Sequence, residues 1–115
     1  MRVIWRKVLR KERGIDMEIN IPKKFRVGGV DYIVKQVEHC GTNDDFGLWR
    51  SQGKIEIANQ AGGYDISDSK KRQTFWHELT HAILFAMGKE ELNEDESFVN
   101  TFSSFLNEAI NTMEE

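Results

Sequence analysis

His77-Glu78-Leu79-Thr80-His81 is the segment of this chain whose residue types and spacing most plainly point to chemistry. On a helix, two histidines four residues apart lie about 40° apart around the axis and one turn along it. Both imidazoles then reach one zinc ion from the same face. Glu78, beside the first of them, is placed to take a proton from water activated by that metal. The flanks agree, because Thr74, Phe75, Leu79, Thr80, Ala82 and Ile83 are all uncharged. A helix buried beneath a cleft needs such flanks, whereas a surface helix would carry Lys, Glu or Arg at several of those places. The competing reading is a hydrogen-bonded pair of core histidines. With only three histidines in the chain, two of them at ligand spacing favours the metal.

A catalytic zinc takes three protein ligands and keeps one position open. The extended pattern that places a third histidine six residues after the second does not fit, since Met87 stands there and Leu84 replaces the intervening glycine. His39 lies upstream in a polar loop. The better source is the acidic cluster after the motif, Glu90, Glu91, Glu94, Asp95 and Glu96.

The elements that must hold these residues follow from periodicity. Residues 1–13 read as a short basic amphipathic helix, with Ile4 and Val8, and Trp5 and Leu9, paired at four-residue spacing. From Met17 the period becomes two. Glu18-Ile19-Asn20-Ile21 alternates and is closed by Pro22. Phe25–Val27 and Val30–Val37 flank Gly28-Gly29, a hairpin turn. Phe46–Arg50 and Lys54–Ala58 flank a second turn. A loop rich in Gly and Asp leads to a helix from about Ser69 to Met87, capped by Ser67 or Ser69 and stopped by Gly88. Lys89–Asn93 reads as a short connection. The last helix runs from about Glu94 to Met113, with Phe98, Phe102, Phe105, Leu106, Ala109 and Met113 on one side. The expectation is an α+β fold, with a small antiparallel sheet followed by the motif helix and a C-terminal helix. Its parts are a basic arm (1–16) and one domain (17–115).

Composition narrows the function. Of 115 residues, 39% are hydrophobic and 30% charged, which suits a folded domain and not a disordered chain. No apolar run approaches the length of a membrane span. Val3-Ile4-Trp5 is cut short by Arg6-Lys7, so a secretory signal is not expected. A single cysteine, Cys40, allows neither an internal disulfide nor a thiolate cage. The expected location is the cytoplasm. Residues 1–16 carry six Lys/Arg against two acids, so the net −3 of the chain divides into +4 and −7. A domain this acidic is a poor general binder of nucleic-acid phosphate, which leaves that role to the arm.

Glu96-Ser97-Phe98-Val99-Asn100-Thr101-Phe102-Ser103 resembles the E-x-x-A-N-x-F-A motif that follows H-E-x-x-H in the ImmA/IrrE-type metallopeptidases of phages and mobile elements. Val99 and Ser103 replace the usual alanines, and only 14 residues separate His81 from Glu96. The resemblance implies a minimal gluzincin (zincin-like) fold, with Glu96 as third zinc ligand and Asn100 supporting the site from one turn on. It also implies a regulatory metalloendopeptidase that acts on a protein or peptide partner, such as a repressor. Two features keep alternatives open. Asn93 and Glu96 have the spacing of a capping box, and a helical wheel sets Asp95 nearer the centre of the apolar stripe than Glu96. Glu96 lies beside it, in line with Val99, Asn100 and Ser103, residues small enough to let the motif helix approach.

Other residues carry weaker expectations. His39 or Tyr64 could swing in as an oxyanion donor, although a turn residue and a surface loop residue are their plain readings. Lys54–Ala58, as an edge strand, would hold an extended peptide. Phe75, Trp76 and Phe85 read as core, and Lys70-Lys71-Arg72 as a solvated first turn. The competing function class is a zinc-binding interaction module that cleaves nothing.

Overall fold

A computed structural model describes residues 20–114. The basic arm and the first residues of the strand expected at 18–21 lie outside the described residues; Asn20 and Ile21 are not in a strand.

The sheet has four strands, β1 (Lys24–Val27), β2 (Val30–Val37), β3 (Gly47–Arg50) and β4 (Lys54–Ala58), in the spatial order β1-β2-β4-β3. Both hairpins form where the sequence places them. Gly28 and Gly29 close the first at φ 59° and 78°, angles that a side chain would strain. The sheet is mostly antiparallel, but its central pair, β2 and β4, is parallel, with Val34 opposite Ile55 and Gln36 opposite Ile57. Burial explains the insertion of β4. Ile55 and Ile57 are fully buried and belong at the centre, whereas the half-buried Gly47-Leu48-Trp49 of β3 suits an edge. Lys54–Ala58 is therefore an interior strand, not the edge strand expected, and among the described residues the edge on that side is β3. A small hairpin, β5 (Gln60–Ala61) with β6 (Tyr64–Asp65), follows.

Helix α1 (Asp68–Met87) starts at Ser67, whose hydroxyl accepts from the Lys70 N–H at 3.1 Å, and ends at Gly88 in the left-handed region. It packs against β1, β3 and β4 on one side and a C-terminal helix on another. Being covered on both sides, it buries Thr74 and Thr80 as well as Phe75, Trp76, Ala82 and Leu84. The threonine hydroxyls donate back to the Lys70 and Trp76 carbonyls at 2.9 and 2.8 Å, which makes their burial tolerable.

The expected connection is itself partly helical, as α2 (Glu90–Glu94), and α3 (Glu96–Thr112) follows. Helix α3 turns its small residues toward α1, and of the apolar side read from the sequence Leu106 and Met113 pack on the core. Val99, Ser103 and Ile110 are buried, while Phe102 and Phe105 are 47% and 67% exposed. Small residues win because they let the α3 backbone approach α1. Gln73 bridges the gap, donating to Ser103 Oγ at 3.2 Å and accepting from Asn107 Nδ2 at 3.0 Å. Phe98 and Phe102 stack on each other instead, centroids 5.8 Å apart. Among the described residues, no helix is long and apolar enough to cross a membrane.

Candidate metal centre

His77 and His81 project from the middle of α1 toward the first residue of α3. His77 Nε2 lies 3.2 Å from Glu96 Oε2, and His81 Nε2 lies 3.2 Å from Glu96 Oε1. One donor atom from each residue falls within 4.8 Å of the others, the span of a group that can close on one ion. Two imidazoles and a carboxylate are the donor set of a catalytic divalent site with room for a further ligand. The histidines are half-buried, whereas 62% of the Glu96 side chain is exposed, so the group opens toward solvent on one side.

The His81 ring is held from behind. Asn93 Oδ1 lies 2.6 Å from His81 Nδ1. An amide oxygen only accepts, so Nδ1 carries the proton and Nε2 keeps its lone pair for the metal. Trp49 of β3 stacks on the His81 ring at 5.9 Å and 22°, and its indole N–H donates to Tyr32 Oη at 3.0 Å. The Asn100 side chain hydrogen-bonds His77. Burial pushes the His77 pKa down from 6.5, against the opposing pull of Glu96, which favours the neutral, ligating ring.

Glu78 is 7% exposed and sits 4.0 Å from His77 Nε2. Burial, reinforced by the charges of Glu96 and Asp45, pushes its carboxyl up to about 8. A carboxyl with that environment exchanges a proton near neutral pH, as a general base and acid must. Its position depends on Gly47. A side chain there would meet Thr74 Cγ2 at 2.5 Å and Glu78 Cγ at 3.2 Å, so the bare glycine lets β3 lie close against α1.

These residues line a cleft of about 490 Å³ between β3 and α1, together with Asp45, Phe46 and Lys70. Lys70, expected to be merely solvated, places its Nζ 4.6 Å from the Phe46 ring centre.

The other sequence candidates fall elsewhere. Asp95 is the cap of α3, its carboxylate accepting from the Phe98 N–H at 3.0 Å. That use removes it from the metal group and replaces the Asn93–Glu96 capping box. His39 is exposed, 3.7 Å from Asp44, and Tyr64 is 80% exposed on the β5–β6 hairpin. Neither lines the cleft. Phe85, expected in the core, is 50% exposed and leans on Trp49 at 5.4 Å. The contacts of Asn93, which reads as half of a capping box, and of Trp49 with His81 leave no spacing signal in the sequence, because they lie 12 and 32 residues from it.

Comparison with protein-family models, with curated proteins and with solved structures finds no match.

Proposed function

We propose that this chain is a zinc-dependent metalloendopeptidase, with His77, His81 and Glu96 as ligands and Glu78 as general base and acid. The observation that carries the reading is the convergence of two helix histidines and a glutamate from another helix beside a buried carboxyl in an open cleft. Zinc, when bound, supplies a Lewis acid that makes water nucleophilic near neutral pH and polarises a substrate carbonyl. Glu78 takes the proton of the attacking water and returns it to the departing amine, so the residue ends the cycle as it began. Asn93 and Asn100 hold the two rings in ligating orientation. The edge of β3 offers backbone N–H and C=O groups alongside the cleft, and an extended peptide pairs there by strand addition. The resemblance to ImmA/IrrE-type enzymes supports a regulatory protein as substrate, such as a repressor in a phage or mobile element.

The test is Glu78→Gln in the zinc-loaded protein. Loss of peptide cleavage with zinc content unchanged supports the enzyme. Undiminished cleavage rejects Glu78 as the base. Absence of cleavage in both forms, with a partner bound equally well by each, favours the non-catalytic interaction module.

A further inference from the structure

We infer that the outer face of the sheet, away from α1, docks the phosphate backbone of duplex nucleic acid. Side chains alternate across a strand, so the register assigns them to faces. Tyr32, Val34, Ile55, Ile57 and Trp49 point toward α1 and the core. The alternate positions carry Lys24, Arg26, Lys35, Arg50 and Lys54, with Asp31 and Glu56 as their acids. That face sums to +3, while residues 20–114 as a whole, with ten Lys/Arg against fifteen acids, sum to −5. Half of the described cations thus share one face of an acidic domain.

The arrangement is a row and not a scatter. Lys24 lies opposite Ile33, Ile33 opposite Lys54, and Lys54 opposite Arg50. Three strand spacings make this row about 14 Å long, comparable with the roughly 12 Å width of a duplex major groove. Arg26 is neutralised by Asp31 at 2.7 Å and Lys54 by Glu56 at 3.4 Å. Lys24, Lys35 and Arg50 make no close ion pair among the described residues, although Lys24 also attracts Asp31 and Lys35 lies opposite Glu56 in register, and all three are exposed. Lys24 and Lys35, with Lys23, also border a shallow groove of about 600 Å³.

Charge complementarity selects a polyanion, and two features select a duplex. The face carries no aromatic side chain on which an unpaired base would stack. Its one well-exposed large apolar side chain is Ile33, at 47%, too little to anchor a lipid surface. Residues 1–19, with six Lys/Arg against three acids, join the domain three residues before Lys23-Lys24, which extends the basic track in sequence. His77, Glu78 and His81 lie on α1, on the inner side of the sheet, so a duplex on the outer face leaves them open.

The experiment is fluorescence anisotropy of the full chain with a DNA duplex of about 20 base pairs, titrated between about 50 and 200 mM salt. Three phosphate contacts from this face weaken binding roughly 40-fold over that range, since each adds about 0.9 to the salt slope. Lys24→Ser, Lys35→Ser and Arg50→Ser together, with circular dichroism unchanged, are expected to lower the slope by about 2.7. Should the triple variant misfold, Arg50→Gln alone lowers it by about 0.9. No duplex binding at the lowest salt overturns the inference. A wild-type slope in the folded variant does so too, by assigning binding to the arm. Equal or tighter binding of a polyglutamate peptide or of phosphatidylserine vesicles also overturns it.

Discussion

Asn93 Oδ1 sits 2.6 Å from His81 Nδ1 and so decides which nitrogen of that ring faces Glu96. Partners of this kind typically govern metal affinity by 10–100-fold. Asn93→Ala is expected to weaken zinc binding within about that range, measured by competition with a chelating dye. Asp95→Ala, by contrast, is expected to keep full zinc affinity and to cost about 1 kcal/mol through loss of the α3 cap. Unchanged affinity in Asn93→Ala would dismiss the hydrogen bond as a tuning device.

Zinc that binds the folded form and not the unfolded one is expected to raise the melting temperature. At a free concentration about 100 times Kd the gain is about 2.7 kcal/mol. Each kcal/mol moves Tm by about 4–8 °C in a domain of this size. His81→Ala and Glu96→Gln are expected to abolish most of that shift in a thermal scan with and without chelator. A full shift in Glu96→Gln would place the third ligand elsewhere.

Gly47→Ala drives a methyl group into Thr74 and toward Glu78. Overpacking of this kind costs about 1–3 kcal/mol, and here it also separates β3 from α1 along the cleft. The expected result is a lower midpoint in urea together with loss of any activity that needs the cleft. Neutral stability would show that β3 yields without cost.

Gln73 links α1 to α3 through Ser103 and Asn107. Gln73→Ala leaves the buried Ser103 hydroxyl without that donor and is expected to cost about 1–3 kcal/mol in denaturant unfolding. Phe105→Ser, on the exposed side of the same helix, is expected to change stability by less than about 0.5 kcal/mol.

Cys40 is fully buried. Burial first, then the charges of Glu56, Glu78 and Asp45, push its thiol up to about 11 from 9.0. A raised pKa means less thiolate at any lower pH, and thiolate is the reacting form. Alkylation at pH 8 is therefore expected to be far slower than for a free thiol, and to reach the free-thiol rate only in denaturant. The sign also applies to stability. The folded state holds its proton after the unfolded state has lost it, so stability falls as pH rises from about 9 to about 11. Rapid labelling of the native protein at pH 8 would contradict this environment.

The sequence by itself determined the local elements and the chemistry of the motif helix. Gly28-Gly29 closes a hairpin, Gly88 stops α1, and His77, Glu78 and His81 take their relative positions from the helical repeat alone. These are interactions between residues within a few positions of one another, and periodicity records them directly. What packs on what was decided by the tertiary structure. The small residues Val99 and Ser103, in line with Glu96, already mark where α1 can approach α3, and they are buried. Which of the apolar residues beside them reach the core was decided by packing, with Leu106 and Met113 in contact with it and Phe102 and Phe105 left out. Lys54–Ala58 looked like an edge, yet Ile55 and Ile57 bury most surface in the middle of the sheet. Asp95 and Glu96, adjacent in the chain, were separated by helix geometry into a cap and a member of the metal group. The charge of the whole domain hid the cations gathered on one face of the sheet, because a sum over residues carries no direction.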